Sequence, residues 1–175
     1  MKRILTAILI LISAHAMAQT AKYTVAKDTE TDQVIFNGPI TFDDLSNEPT
    51  FTWLKAGADR YEPDAKAINT LQEKLPAYTF VVFMGTWCDD SHNIIPKLYK
   101  VLKVTEYPIQ QGITMYGTDR EKHTQGGEDK KYNITLVPTI IVLKKGEEVG
   151  RITESVQKSL EEDLVNIISV GELQK

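Results

Sequence analysis

The sequence contains a single cysteine, Cys88, in 175 residues, so the chain cannot form an internal disulfide. No second cysteine and no pair of histidines accompanies it at the spacing that metal sites use, so we expect no metal. Basic residues are not in excess, because 20 Lys and Arg stand against 24 Asp and Glu, for a net charge of -4. No basic stripe indicates nucleic-acid binding. The length suits one ordinary domain with an addition at one end.

The first residues have the pattern of a secretion signal. Lys2 and Arg3 precede an almost entirely apolar run at 4–12, and Ala16–Ala18 has the small residues of a cleavage site. The alternative is a retained membrane helix, but this run is shorter than the span of about 20 residues that a bilayer requires. We therefore predict a signal peptide at 1–18. The mature protein is then periplasmic or secreted, in an oxidising compartment, with no membrane attachment after cleavage.

Cys88 lies where an apolar run stops and a helical pattern starts. The run Tyr78–Met84 is rich in aromatic and β-branched residues, which predicts a strand buried on both faces. After Cys88 the apolar residues follow a helical spacing, at Ile94, Ile95, Leu98, Val101 and Leu102. Cys88 is therefore expected in the first turn of a helix, where free N–H groups and the helix dipole favour a reactive thiolate. The alternative is an inert buried cysteine, the usual state of a lone one.

A second strand is predicted at Ile113–Tyr116. If it runs parallel to the first strand, with the helix as the crossover, both strands end at the same edge of the sheet. Asp119 and Arg120 then share the rim on which Cys88 lies. Arg120 is either a support for a thiolate or a solvated loop charge, and the second reading is the commoner one.

The other predicted elements are placed by their hydrophobic spacing and their turn residues. We divide the chain into the signal peptide, an N-terminal extension at 19–77, a domain at 78–170 and a tail at 171–175. Before the domain we expect a strand at 33–36, closed by Asn37–Pro39, and three helical segments: one at 41–46, one capped by Thr50 or Thr52, and one from Asp64 to Leu75. After Cys88 and its helix we expect a short helix ending near Tyr132, a hairpin at 139–152, and a helix that is capped by Ser159 and ends at Gly171.

The order of elements and three sequence features resemble the thioredoxin superfamily. The segment Trp87–Ser91 matches the family's Trp-Cys-x-x-Cys, with serine in the last place. Pro96 stands where the family kinks this helix, and Val137–Thr139 resembles its cis-proline turn. The likeness covers about residues 78–170. It implies an α/β fold, a thioredoxin-like three-layer sandwich with a central mixed sheet and flanking helices.

The resemblance also implies roles for particular residues. Cys88 matches the nucleophilic cysteine that attacks a disulfide. Trp87, Val137 and Pro138 match the surface that holds the partner's chain beside the sulfur. The implied partners are protein thiols or disulfides, together with a small thiol, and the implied chemistry needs no cofactor. We expect a monomer.

Two departures from the family pattern change the expected chemistry. Ser91 stands in the place of the resolving cysteine, and a hydroxyl cannot displace a mixed disulfide, because exchange needs a thiolate. Val82 stands where thioredoxins keep a buried acid. What remains is a single thiol, suited to isomerisation or to removing a small thiol such as glutathione from a protein. In such a site, Ser91 is a candidate hydrogen-bond donor to the Cys88 thiolate.

Two alternatives stay open at this point. A one-cysteine peroxidase also uses this fold, although the Pro-x-x-x-Thr/Ser-x-x-Cys pattern does not precede Cys88. The protein is otherwise a redox-inactive binding module, in which the groove around Trp87 and Pro138 holds a partner. The reactivity and the exposure of Cys88 distinguish an enzyme from a binding module.

Overall fold

The computed structural model describes residues 23–173, and the predicted signal peptide at 1–18 lies outside them. The strands are β1 (Thr24–Lys27), β2 (Val34–Ile40), β3 (Tyr78–Met84), β4 (Ile113–Gly117), β5 (Thr139–Lys144) and β6 (Glu147–Thr153). The helices are α1 (Phe42–Asn47), α2 (Thr52–Arg60), α3 (Ala65–Lys74), α4 (Asp89–Val104), α5 (Ile109–Gly112), α6 (Glu128–Lys131) and α7 (Leu160–Leu173), with a 3₁₀ turn at Leu75–Ala77.

The strands form one mixed sheet in the order β1-β2-β4-β3-β5-β6. The central strand β3 runs parallel to β4, as expected for a crossover through α4, and antiparallel to β5. β5 and β6 form the predicted hairpin. The parallel pairing brings the ends of β3 and β4 to one edge, with Met84 opposite Gly117. The start of α4 therefore lies at this edge.

The sheet has a core on each face, as the apolar run of β3 predicts. Alternate residues of a strand point to opposite faces. Phe80 and Val82 belong to the larger core, which includes residues of α1–α4 and α7. Val81 and Phe83 belong to a smaller core, which Ile134 and its neighbours cover and against which Cys88 packs. This arrangement confirms the predicted α/β, thioredoxin-like sandwich with a mixed central sheet and flanking helices.

The N-terminal strands differ from the prediction. The strand expected at 33–36 continues through Asn37–Pro39, because its second half pairs with β4 while its first half pairs with β1. Gly38 permits this with φ of +116°, a conformation that side chains with a Cβ rarely adopt. β1 itself lies before residue 33, where the sequence predicted no element. Its side chains are exposed and carry no alternating pattern, so only the pairing with β2 defines it.

The segment predicted as an N-terminal extension is built into the same fold. β2 extends the sheet beside β4, and α3 packs on α7. The Tyr61 hydroxyl donates a 2.6 Å hydrogen bond to the buried Glu161 carboxylate, which also accepts the backbone N–H of Asp64 at 2.9 Å. The residues just before α3 are therefore joined directly to the C-terminal helix.

Two helix boundaries also differ from the prediction. α2 has Phe51 as its N-cap residue, with no side-chain cap bond, so neither Thr50 nor Thr52 caps it. Gly171 does not end α7, which continues to Leu173. Gly171 instead lies against Val149 of β6, where a Cβ would stand 3.0 Å from the valine Cβ. Close packing of the helix on the hairpin accounts for this glycine.

Candidate thiol site

Cys88 is the N-cap residue of α4, one position before the helix rather than within its first turn. Its backbone N–H donates to the Gly85 carbonyl at 3.1 Å, which closes the turn after β3. Its own carbonyl accepts the N–H of His92 at 3.0 Å, the first bond of the helix. The side chain is half-buried. The sulfur therefore lies at the edge of the sheet, at the positive end of the α4 dipole.

The sulfur of Cys88 faces the turn before β5. Its thiol lies 3.5 Å from the Val137 carbonyl oxygen, which accepts its hydrogen bond. The Val137–Pro138 peptide bond is cis, and both side chains are buried. The preceding residue, Leu136, is 38% exposed, although sequence reasoning did not single it out. The predicted pair is thus beside the sulfur but buried, and the exposed side chain next to it is that of Leu136.

Trp87 is fixed by contacts around its ring. Its Nε1–H donates to the Thr118 carbonyl at 2.9 Å. The guanidinium of Arg120 and the ammonium of Lys122 lie 5.2 and 5.7 Å from the ring centre, within cation–π range. Gly85 leaves room for the ring, since a Cβ there would stand 2.6 Å from its Cε2. The ring of Trp87, the residue before Cys88, is therefore held by contacts from several sides.

Ser91 supports the turn instead of the sulfur. It is fully buried, and its Oγ accepts the Gly85 N–H at 3.2 Å. Among the hydrogen bonds found between residues 23 and 173, none joins Ser91 to Cys88. Val82 is also fully buried, within the apolar core behind the turn. The two positions at which the chain departs from the family pattern therefore lie under the site, away from solvent.

Arg120 lies on the rim, as predicted, but its charge is already paired. The guanidinium binds the carboxylate of Asp28 and lies 3.4 Å from the Thr31 hydroxyl. Hydrogen bonds from Arg120 and from Thr31 hold the pKa of Asp28 well below its usual range. The turn between β1 and β2 is thus attached to the rim beside Trp87. Nothing in the local sequence around Arg120 indicates this partner, which is far away along the chain.

Thr86 and His92 belong to the site although sequence reasoning assigned them no part in it. The Thr86 hydroxyl donates to the Val34 carbonyl at 2.9 Å and accepts the Phe36 N–H at 3.1 Å. The Thr86 carbonyl accepts a 2.8 Å bond from His92 Nε2. The sequence did contain one indication that His92 lies near the thiol, because it follows Cys88 by one helical turn.

Between residues 23 and 173, no group of three or more His, Cys, Asp or Glu side chains is placed to hold a metal ion. None of the helices in that part of the chain combines the length and the apolar character that crossing a bilayer requires. What the described site offers chemically is one half-buried thiol at a helix start, beside a backbone carbonyl.

Comparison with known proteins gives one family match. The sequence matches the Thioredoxin family over residues 65–169. No curated protein matches it. Similar solved structures include a Pseudomonas aeruginosa protein of unknown function, 12% identical, covering 78% of this chain and 99% of its own, with a TM-score of 0.49. An HIV epitope-scaffold is 14% identical; the match covers 78% of this chain and 86% of the scaffold, with a TM-score of 0.50.

A third structure, thioredoxin O2 from Arabidopsis thaliana in the oxidised state, is 21% identical. It covers 63% of this chain and 85% of its own, with a TM-score of 0.39. At these identities the structural likeness concerns the fold alone.

Proposed function

Because this chain belongs to the thioredoxin family, we propose that it is an exported protein in which one thiol, Cys88, performs thiol–disulfide exchange of the isomerase or mixed-disulfide type. The thioredoxin fold supports a redox-type thiol function. The observation that carries the finer proposal is the surroundings of Cys88. The sulfur is half-buried at the start of α4, beside the Val137 carbonyl, and the residue three positions on is a buried serine.

The exchange proceeds in two balanced steps. The Cys88 thiolate attacks one sulfur of a partner disulfide, a new Cys88–partner disulfide forms, and the other partner sulfur leaves as a thiolate. A second thiolate then attacks the mixed disulfide and releases Cys88. If that thiolate belongs to the same partner, the net result is isomerisation. If the partner is instead a protein that carries a small thiol, Cys88 attacks the sulfur of the small thiol and the protein thiolate leaves. An external small thiol then attacks the disulfide between Cys88 and the small thiol, which releases Cys88 and forms the oxidised small-thiol disulfide.

The family's second cysteine normally supplies the resolving step inside the protein, and here Ser91 takes that position. Since Ser91 is buried and its hydroxyl is bound to the Gly85 N–H, it supports the turn and leaves release to a thiol from outside. Protein thiols or disulfides and a small thiol are therefore the proposed partners. Export of a monomer through the leader at 1–18 places this chemistry in the periplasm or outside the cell.

The test uses a peptide that carries glutathione on a cysteine, with excess reduced glutathione as the external thiol. The protein should catalyse removal of the adduct, and Cys88→Ser should abolish that catalysis because the hydroxyl cannot form the mixed disulfide. Omitting the external thiol should stop the reaction after one adduct per protein. Binding of the peptide with Cys88 unmodified would instead indicate a redox-inactive module that uses the groove at Trp87 and Pro138.

A further inference from the structure

The turn that carries Cys88 is held by a histidine on the following helix. His92 lies one turn into α4, and helical side chains lean back toward the N-terminus of their helix. Its Nε2 lies 2.8 Å from the carbonyl oxygen of Thr86. A carbonyl oxygen only accepts hydrogen bonds, so Nε2 carries the proton. The Thr86 carbonyl, two residues before the sulfur, therefore has a fixed partner.

The imidazole of His92 is itself seated on α2. Its ring stacks on that of Trp53, with the ring centres 4.5 Å apart and the planes 18° from parallel. The other ring nitrogen, Nδ1, lies 3.9 Å from the Asp89 carboxylate, too far for a hydrogen bond. The stack and the Nε2–H bond therefore fix the position of the imidazole between α2 and the turn.

The hydroxyl of Thr86 attaches the same turn to the sheet. It donates to the carbonyl of Val34 and accepts the N–H of Phe36. The Thr86 hydroxyl thus provides a hydrogen-bond partner for one C=O and one N–H of β2. β2 does not reach β4 at these residues, because the β2–β4 pairing begins only at Gly38. The turn is therefore held on one side by β2 and on the other by the His92–Trp53 stack.

We propose that His92, seated on Trp53, is a positioning residue that holds the Cys88 turn through the Thr86 carbonyl. Residues 34–60 lie N-terminal to the family match, and through these contacts they become part of the thiol site. The inference rests on the proposed function only in taking Cys88 as the reacting atom. Loss of the hydrogen bond frees the turn, and the sulfur then leaves its half-buried place beside the Val137 carbonyl more often.

The test compares His92→Leu with His92→Gln in the full chain. Leucine packs on Trp53 but donates no hydrogen bond, whereas the glutamine amide reaches about as far as Nε2 and can donate to Thr86. A net hydrogen bond corresponds to roughly a five-fold change in an equilibrium. We therefore expect iodoacetamide to alkylate Cys88 about five-fold faster in His92→Leu. In His92→Gln the rate should stay close to that of the wild type.

A spectroscopic readout separates positioning from simple packing. The chain has two tryptophans, so its indole N–H region should show two resonances. Trp53 touches His92 directly, but Trp87 reports on the turn through its bond to Thr118. His92→Leu should move the Trp87 resonance and His92→Gln should restore it. If His92→Leu does not fold, Trp53→Leu, which removes the seat of the imidazole, should move the Trp87 resonance in its place.

An unchanged alkylation rate in His92→Leu, or a shift confined to Trp53, would overturn the inference. Equal behaviour of the leucine and glutamine variants would overturn it as well, because the hydrogen bond would then be without effect. Failure of the proposed function gives a different result. In that case Cys88 forms no mixed disulfide in any variant, while the Trp87 resonance still reports whether His92 holds the turn.

Discussion

Replacing Ser91 with cysteine is expected to convert a single-thiol site into a dithiol site. Positions three apart at the start of a helix are neighbours, and their separation suits a disulfide. Ser91 is fully buried and its oxygen accepts the Gly85 N–H at 3.2 Å. Sulfur is a weak acceptor, so the reduced Ser91→Cys protein should lose about 1 kcal/mol of stability with the hydrogen bond. The larger atom in a packed site adds about 1 kcal/mol more.

Oxidation should offset that loss. Closing a loop of about four residues with a disulfide contributes about 2 kcal/mol in the chain-entropy treatment. Urea unfolding with and without reductant measures the difference, while the wild type, with one cysteine, should show none. Ser91→Ala is the matched control, since it removes the acceptor without adding a thiol. It should cost about 1 kcal/mol in both conditions.

The same variant should acquire a reaction that the wild type lacks. Pre-reduced Ser91→Cys should release a fully reduced substrate without added thiol and become internally oxidised. Its rate should remain below that of a complete thioredoxin site, because Val82 supplies no acid behind the turn. Equal release by the wild type and by Ser91→Cys, in the absence of any external thiol, would mean that position 91 is not where the resolving thiol is missing.

Three further expectations concern stability, the site and export. Burial raises the pKa of Asp129, but hydrogen bonds, foremost that from the Thr124 backbone, outweigh it and lower the pKa to about 2. The folded-state pKa is therefore below that of the unfolded chain, so about 2 kcal/mol of stability should be present above about pH 4 and lost between about pH 4 and 2. Asp129→Asn should remove that slope in acid unfolding curves. Gly85→Ala should displace Trp87, since the new Cβ would stand 2.6 Å from the ring, and should change its fluorescence and the alkylation rate of Cys88. The exported protein should have an intact mass that lacks residues 1–18; a mass that includes them would contradict the signal peptide.

The elements of the core could be predicted because their local hydrophobic pattern matches the burial of their side chains in the fold. The run Tyr78–Met84 is apolar on both faces, and it forms the central strand with a core on each side. The N-terminal strands were less predictable. Thr24–Lys27 is short and exposed throughout, and β2 passes through Gly38 and Pro39, residues that normally break strands. Pairing with β4 decides that region, and pairing is a tertiary effect that propensity does not record.

Some features of the site could also be predicted from the sequence, and others could not. The position of Cys88 at a strand-to-helix turn follows from the hydrophobic pattern alone. Its proximity to Val137 followed only from the family resemblance, since nothing local joins residues so far apart in the chain. Arg120 pairs with Asp28, in the turn after β1, and His92 stacks on Trp53 of α2. The sequence does not reveal how either segment packs.

Intact mass after a single turnover shows directly whether Cys88 forms a mixed disulfide with its substrate. Pre-reduced wild-type protein is mixed with a disulfide substrate, without external thiol, and quenched with acid. We expect one substrate adduct per protein, located on Cys88 by peptide mapping and removed when a small thiol is added. Reduced substrate accumulating with no adduct on the protein, or a Cys88 that remains unmodified while the substrate stays oxidised, would contradict this expectation.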